Sequence, residues 1–411
     1  MFRNLPRFLI PALLAASSVA AAETLQEVTA EALRKNPELQ VFEQSIVAAK
    51  GKVTTARTFS NPELTVAPGL KRTSDVGATS DEFHGDFAVS QLFKFPGKRA
   101  LEIAIEQGNV QLTDLAREAF RFQLTAKVRR AFYDFLAAKQ IERSRRDQVG
   151  SAQLFVESAK KRAEAGYASD FESVKSQADL ITATKALLQA EGRVSVARVT
   201  LNALMGRTPS APLEIIGKLT GVQPRGSLAD YLALAFARNP GIRTQVRQAE
   251  IAGLTLRATR FGRRPDFSVG PSLEYTRSEQ ILGLSATVAL PLWDQKKGEI
   301  QTATAEQRKA LAELEKTRAE VSAEVAKAAV NLEIAKAQLA LYSPAFIDRL
   351  KAVMSQAEQA YAQNTTTLII YLDAKRTYFD TLADYYDALG NVAQSRADLE
   401  SAVGVPLELN P

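Results

Sequence analysis

The chain has 411 residues, of which 46% are hydrophobic and 24% are charged, and its formal net charge is +6. This composition is ordinary for a chain that is long enough to bury a large core. The small positive charge does not indicate nucleic acid as a partner, and the absence of cysteine excludes disulfides and a lipid attached to an N-terminal cysteine.

Residues 1–22 predict a secretory signal peptide. Arg3 and Arg7 lie beside an apolar stretch from Phe8 to Ala16, and Ala20-Ala21-Ala22 forms a small-residue cleavage site, so cleavage is expected after Ala22. The apolar stretch is too short for a transmembrane helix, and no later run reaches the ~20 apolar residues that such a helix needs. Any membrane crossing must therefore be made by strands.

The mature chain repeats itself at a spacing of about 200 residues. Three landmarks recur in the same order: Ala32–Pro37 with Ala235–Pro240, Pro62–Val66 with Pro265–Val269, and Leu201–Gly206 with Leu399–Gly404. We therefore predict two equivalent halves, residues 23–206 and 228–404. A Pro- and Gly-rich linker at 207–227 joins them, and a short tail follows at 405–411.

Each half begins with two segments whose polarity alternates with a period of two, which predicts β-strands. The predicted strands are residues 62–71 and 83–93 in the first half and residues 265–276 and 281–291 in the second. Their apolar positions are Leu64, Val66, Leu70, Phe83, Phe87, Val89, Phe267, Val269, Leu273, Tyr275, Leu284, Ala286, Val288 and Leu290. Lys71 to Glu82 and Arg277 to Gln280 are predicted to be polar connectors. Each run has about ten residues, the length of a tilted strand that crosses a bilayer.

One apolar and one polar face is typical of a barrel with lipid outside and water inside. Four strands cannot close, and an open edge in lipid leaves N–H and C=O groups without partners, each at a cost of several kcal/mol. Other copies of the chain must supply the missing strands. The pattern does not choose between a dimer with eight strands and a trimer with twelve, and a strand pair in a soluble sandwich is the alternative.

Long helices follow each strand pair, and we predict them at residues 97–165, 170–205, 297–362 and 367–403. Apolar residues recur there at steps of three and four, which predicts coiled-coil packing. The three stripes are Leu180, Ala183, Leu187, Ala190, Val194, Ala197, Leu201 and Leu204; Leu311, Leu314, Val321, Val325, Ala328, Leu332, Ala335 and Leu339; and Tyr378, Thr381, Tyr385, Ala388, Val392, Ser395, Leu399 and Ala402. Pro344 is expected to kink or interrupt its helix. A soluble coiled coil is the alternative explanation.

Reversals between the long helices are predicted at Gly166-Tyr167-Ala168-Ser169-Asp170 and at Gln363-Asn364-Thr365-Thr366-Thr367. Gly166 is the expected helix stop in the first half. Asn364 is expected to take the same left-handed cap conformation in the second half, since asparagine tolerates it better than most residues.

The ordered set of signal peptide, duplicated halves, strand pairs and long helices resembles the TolC-like outer-membrane efflux family over nearly the whole mature chain. The most similar branch is the CzcC type, which serves heavy-metal exporters. Three segments carry this resemblance: Asn36-Pro37-Glu38-Leu39, Gln91 to Arg99, and Leu290 to Ile300.

The resemblance implies a mainly α fold with membrane β-strands. Long helical hairpins would form an α-barrel across the periplasm, and a homotrimer would close a 12-stranded β-barrel in the outer membrane. It also implies docking onto a periplasmic adaptor and an inner-membrane pump of the resistance-nodulation-division (RND) class, with heavy-metal cations as cargo. Drug efflux, type I secretion of polypeptides and a periplasmic coiled-coil scaffold are the alternatives.

The family closes its periplasmic end with acidic residues, and the resemblance places Asp373 on a ring aspartate and Glu172 on an acidic gate position. Ile370 stands where a second ring acid is expected, and Thr366 stands where a basic partner is expected. The adaptor-docking tips implied by the resemblance are Gly166, Tyr167, Ala168, Ser169, Asp170, Asn364, Thr365, Thr366 and Thr367. The polar strand faces make His84, Asp86 and Glu274 candidates for the barrel lumen.

The sequence lacks the patterns of catalytic and cofactor sites. His84 is the one histidine of the chain, and a single strand histidine without convincing partners predicts a passive wall residue rather than part of a triad. There is no HExxH helix, phosphate loop or dinucleotide fingerprint. We therefore expect no enzyme activity, no cofactor and no metal site, with metal selectivity left to the pump and adaptor.

Overall fold

The computed structural model describes residues 22–75, 78–164, 169–219, 226–276 and 279–407. The predicted signal peptide, apart from Ala22, and the predicted tip residues Gly166, Tyr167 and Ala168 lie outside these ranges. The helices are α1 Leu25–Lys35, α2 Pro37–Arg57, α3 Lys98–Glu164, α4 Asp170–Leu204, α5 Leu228–Arg238, α6 Pro240–Phe261, α7 Lys297–Ala340, α8 Pro344–Ala362 and α9 Leu368–Val403. The strands are β1 Glu63–Asp75, β2 Ala78–Phe93, β3 Phe267–Thr276 and β4 Gln280–Val288.

The break expected at Pro344 separates α7 from α8. Proline lacks the backbone N–H that a helix interior needs, but it fits the first turn, and α8 begins at Pro344 itself. Within the described ranges, no helix is both long and apolar enough to cross a membrane.

The four strands form one antiparallel sheet in the order β1-β2-β3-β4. Val66 lies opposite Phe87, Phe87 opposite Leu273, and Leu273 opposite Leu282. Because residues directly opposite each other share a face, this register places the apolar side chains of all four strands on one face. The alternation read from the sequence is confirmed, except that the fourth strand ends at Val288 and does not reach the predicted position Leu290.

The prediction that Lys71 to Glu82 forms a connector is wrong. β1 continues to Asp75 and β2 starts at Ala78, and the last pair of their register is Asp75 with Ala78. Arg72 faces Asp81 across this extension, with 2.7 Å between Arg72 Nε and Asp81 Oδ1. Polar cross-strand pairs support a ladder as apolar pairs do, so the end of the apolar alternation did not mark the end of the strands.

The duplication is visible in matching helix ends. Asn36 caps α2 and Asn239 caps α6, and in both helices proline follows at the first helical position. Gly206 and Gly404 have φ values of 69° and 87° after α4 and α9. At Gly404 an added Cβ would lie 2.5 Å from Pro240 Cδ, so this close approach requires glycine.

The chain divides into two compact units. Unit 1 comprises Met1–Arg34, Ala131–Thr220 and Ala345–Gly390, and unit 2 comprises Lys35–Arg130, Gly221–Pro344 and Asn391–Pro411. In unit 1, four members of the predicted α4 stripe are buried, and they are Ala183, Ala190, Ala197 and Leu201. This spacing confirms the predicted seam, because small residues at alternate positions permit close helix packing.

Unit 2 contains the sheet and a core formed by α5, α6, α7 and the end of α9. Its central side chains are Leu314, Val321, Val325, Ala328, Leu332, Leu399, Ala402 and Val403. The α7 stripe predicted from the sequence is therefore mostly buried. Leu311 is an exception, since 48% of it is exposed.

Candidate functional site

The described tip of unit 1 consists of the turn between α8 and α9 and the start of α4. Asn364 has φ 57°, which confirms the predicted left-handed cap. The Thr365 N–H donates to the Ala360 carbonyl at 2.9 Å, and Thr367 Oγ1 accepts from the Ile370 N–H. Ser169 is the N-cap residue of α4, although its side chain forms no capping hydrogen bond, and Asp170 is the first residue of the helix. Thr366 is half-buried.

Arg162, at the end of α3, connects these segments. Its Nη2 donates to Asn364 Oδ1 at 2.6 Å, and its Nε lies 3.6 Å from Oε1 of Glu172 on α4. The guanidinium also lies 5.1 Å from the Tyr361 ring centroid. The Glu172 side chain is only 13% exposed, so water screens this ion pair less than a surface pair. The basic partner of Glu172 thus comes from α3 instead of position 366.

An aromatic cluster lies beside Arg162. The rings of Phe155, Tyr361 and Tyr371 have centroids 5.3 to 5.6 Å apart. Burial raises the pKa of Tyr371 to about 12. The phenol therefore stays neutral at physiological pH, and the cluster joins α3, α8 and α9 by apolar contact.

A buried ion pair lies one turn further along α9. Lys375 is 1% exposed, and its Nζ lies 3.0 Å from Oδ2 of Asp179 on α4. Its Nζ is also 6.0 Å from the ring centroids of Phe155 and Tyr371. Sequence reasoning missed Lys375, Asp179 and Arg162, since nothing in the local pattern separates them from solvated charges.

Asp373 and Ile370, both on α9, lie on the surface of the single chain. Asp373 is exposed, and among the described residues no ion pair is formed by its carboxylate. Ile370 is 56% exposed. Glu172 is joined to Asn364 through Arg162, whereas Asp373 does not take part in that network.

The predicted lumen residues come together on the polar face of the sheet in unit 2. His84 and Asp86 are two positions apart on β2, and Glu274 on β3 lies directly opposite Asp86. His84 Nε2 is 3.2 Å from Asp86 Oδ1, and His84 Nδ1 is 3.8 Å from Glu274 Oε1. The sequence placed these residues on one face but could not show that they meet, because β2 and β3 belong to different halves.

Comparison with known proteins decides the family. The model of a family described as outer membrane efflux protein matches residues 28–207 and 232–405, one segment in each half. The chain belongs to the outer membrane efflux protein family. Members of this family are efflux proteins, which confirms the expectation that the chain is not an enzyme.

This family member resembles two curated metal-resistance proteins. It is 21% identical to the cobalt-zinc-cadmium resistance protein CzcC of Cupriavidus metallidurans, over 93% of this chain and 90% of CzcC. It is 23% identical to the nickel-cobalt-cadmium resistance protein NccC of Alcaligenes xylosoxydans xylosoxydans, over 75% of this chain and 70% of NccC. The resemblance to the CzcC branch is confirmed.

The solved structure of CusC, a transmembrane channel, has the same fold. It superimposes with a TM-score of 0.75 at 16% identity and covers 97% of this chain and 99% of CusC. The predicted TolC-like fold, with long helices and a four-stranded sheet in each chain, is therefore confirmed.

Proposed function

We propose that this protein is the outer-membrane exit duct of a tripartite efflux system, that it assembles as a homotrimer, and that it exports heavy-metal cations. The observation that carries the proposal is a sheet with one exposed apolar face and two open edges, joined to long coiled-coil helices. The duct is passive in energy terms, and export is driven by an inner-membrane RND pump through a periplasmic adaptor.

The apolar face of the sheet supports a place in the outer membrane. Leu70, Leu282 and Leu284 are 75%, 80% and 82% exposed. An apolar surface spread over four strands is costly in water and is stabilised by lipid. The opposite face carries His84, Asp86 and Glu274, as expected of a wall that lines an aqueous lumen.

Two features support assembly of several copies. β1 and β4 are the edges of the sheet, and an edge in lipid needs a strand from a neighbour. On α4, Val174, Ile181 and Leu188 recur every seven residues and are 66%, 70% and 63% exposed. Such a stripe fits a helix of a second copy. Three copies would give twelve strands, in keeping with the family.

The tip residues fit a gate and a docking surface. Two sets of polar contacts hold α4 and α9 to their neighbours in unit 1. Arg162 forms an ion pair with Glu172 and a hydrogen bond with Asn364, and Lys375 forms an ion pair with Asp179. We assign them to the closed state of the duct. Three-fold symmetry would bring three copies of Asp373 together at the narrow end, with Ile370 beside them. The adaptor would contact the tips formed by Ser169, Asp170, Asn364, Thr365, Thr366 and Thr367.

Metal cargo is supported by the similarity to CzcC and NccC, whose names state cobalt, zinc, cadmium and nickel resistance. A deletion strain is expected to become more sensitive to one or more of zinc, cobalt, cadmium and nickel, while its drug sensitivity stays unchanged. The measurement is the minimal inhibitory concentration of each metal and of a drug panel, with the gene restored on a plasmid as control. Sensitivity to drugs alone would contradict metal export and favour a drug duct.

A further inference from the structure

The cluster of His84, Asp86 and Glu274 has the chemistry of a metal site. One ligand atom from each of these residues lies within 4.8 Å of those from the other two. Asp86 and Glu274 are directly opposite each other, and like charges in that position repel. Among the described residues, the basic side chain that lies against either carboxylate is the imidazole of His84. A divalent cation would relieve this repulsion.

The imidazole of His84 is placed so that Nδ1 can bind a metal ion while Nε2 faces Asp86. Its Nδ1 is buried and has no hydrogen-bond partner within the described part of the chain, although a buried polar atom normally has one. With the proton on Nε2, facing Asp86 at 3.2 Å, Nδ1 presents its lone pair on the side of Glu274. Metal-binding histidines are commonly oriented in this way, with the second nitrogen held by a carboxylate.

The distance between the two ligand atoms and the open space beside them also fit a bound cation. Nδ1 and Glu274 Oε1 are 3.8 Å apart, and one metal ion bonded to both at about 2.0–2.2 Å can bridge that separation. Gly69 lies opposite His84 on β1, and an added Cβ there would be no closer than 4.0 Å to its nearest neighbour. This open flank leaves space for water ligands.

We propose that the polar face of the sheet binds one divalent first-row transition ion such as Zn²⁺, Co²⁺ or Ni²⁺. His84 Nδ1 and the Glu274 carboxylate are the protein ligands, water completes the coordination shell, and Asp86 positions the imidazole. An imidazole ligand favours these ions over Mg²⁺ and Ca²⁺, which take oxygen ligands. This site departs from the passive wall expected from the sequence, and it does not depend on what the duct exports.

Because His84 is the one histidine of the chain, side-chain NMR reports on this site alone. The full chain, labelled with ¹⁵N-histidine and purified in detergent without a polyhistidine tag, is titrated with ZnCl₂. The expected result is a saturable shift of the Nδ1 resonance while Nε2 keeps its proton. An imidazole spectrum that does not change up to millimolar zinc would overturn the proposal, whether or not the protein conducts ions.

Substitutions assign the roles, with zinc binding measured by equilibrium dialysis. His84→Gln is expected to abolish the site, and Glu274→Gln to weaken it at least tenfold. Asp86→Asn is expected to weaken it roughly tenfold, as loss of an orienting carboxylate does. Glu63→Gln is the matched control, because Glu63 is an exposed acid of the same face that lies opposite Ser90. Zinc binding by His84→Gln equal to that of the wild type would refute the assignment.

Discussion

Asp179→Ala is expected to loosen the packing of α9 strongly, because it leaves the Lys375 ammonium buried without its counter-charge. Lys375 is 1% exposed, and its Nζ lies 3.0 Å from Asp179 Oδ2. Removing one partner of such a pair costs about 3–5 kcal/mol. Lys375→Met is expected to cost less, about 1–2 kcal/mol, because the Asp179 carboxylate is 20% exposed and keeps access to water.

Hydrogen exchange measured by mass spectrometry on peptides that cover residues 368–380 tests this asymmetry. Asp179→Ala should lower amide protection there by roughly a few hundred- to a few thousand-fold, the factor that corresponds to about 3–5 kcal/mol, and Lys375→Met by less. The double variant should recover much of the loss, because it removes both charges. Greater damage from Lys375→Met than from Asp179→Ala would contradict this account of the pair.

Asp373→Ala is expected to lower the cation selectivity of the closed duct by roughly a factor of a few, because a ring of carboxylates concentrates cations. The Asp373 side chain is exposed in the single chain and forms no ion pair among the described residues. Its charge is therefore available to the lumen of the proposed trimer. Glu172→Gln is expected to change selectivity less, since that carboxylate already faces Arg162.

The measurement is the reversal potential of the reconstituted protein in planar bilayers under a salt gradient. Asp348→Ala is the control, because it removes an exposed aspartate of α8 from the same unit. An unchanged reversal potential in Asp373→Ala would remove Asp373 from the gate, while wild-type conductance would still support a channel.

Local patterns in the sequence predicted the strands and long helices, because an element that buries one face carries its apolar residues at a regular spacing along the sequence. They did not predict α1, α2, α5 and α6 as elements. Asn36-Pro37 and Asn239-Pro240 served as repeat landmarks, yet an asparagine cap followed by proline is also a helix-start signal that could have located α2 and α6.

The site contacts were harder to predict because they depend on register and packing between distant segments. The pairing of β2 with β3 places Asp86 opposite Glu274, and the alternation within each strand does not indicate which strand will be its neighbour. The end of α3 likewise decides that Arg162 reaches Glu172 and Asn364. The family resemblance predicted an acidic residue at Glu172 but not its basic partner. That partner was expected at position 366, whereas in this chain it is Arg162 on α3.

Disulfide trapping between the sheet edges tests the central claim, that neighbouring copies complete the sheet, most directly. The chain has no cysteine, so Thr65→Cys on β1 is combined in turn with Gly283→Cys, Ser285→Cys or Thr287→Cys on β4. Within one chain these edges are three strand spacings apart, about 14 Å, which is too far for a disulfide. Oxidation in the outer membrane is predicted to yield a covalent trimer for at least one pair. Monomer alone in all three pairs would contradict the account.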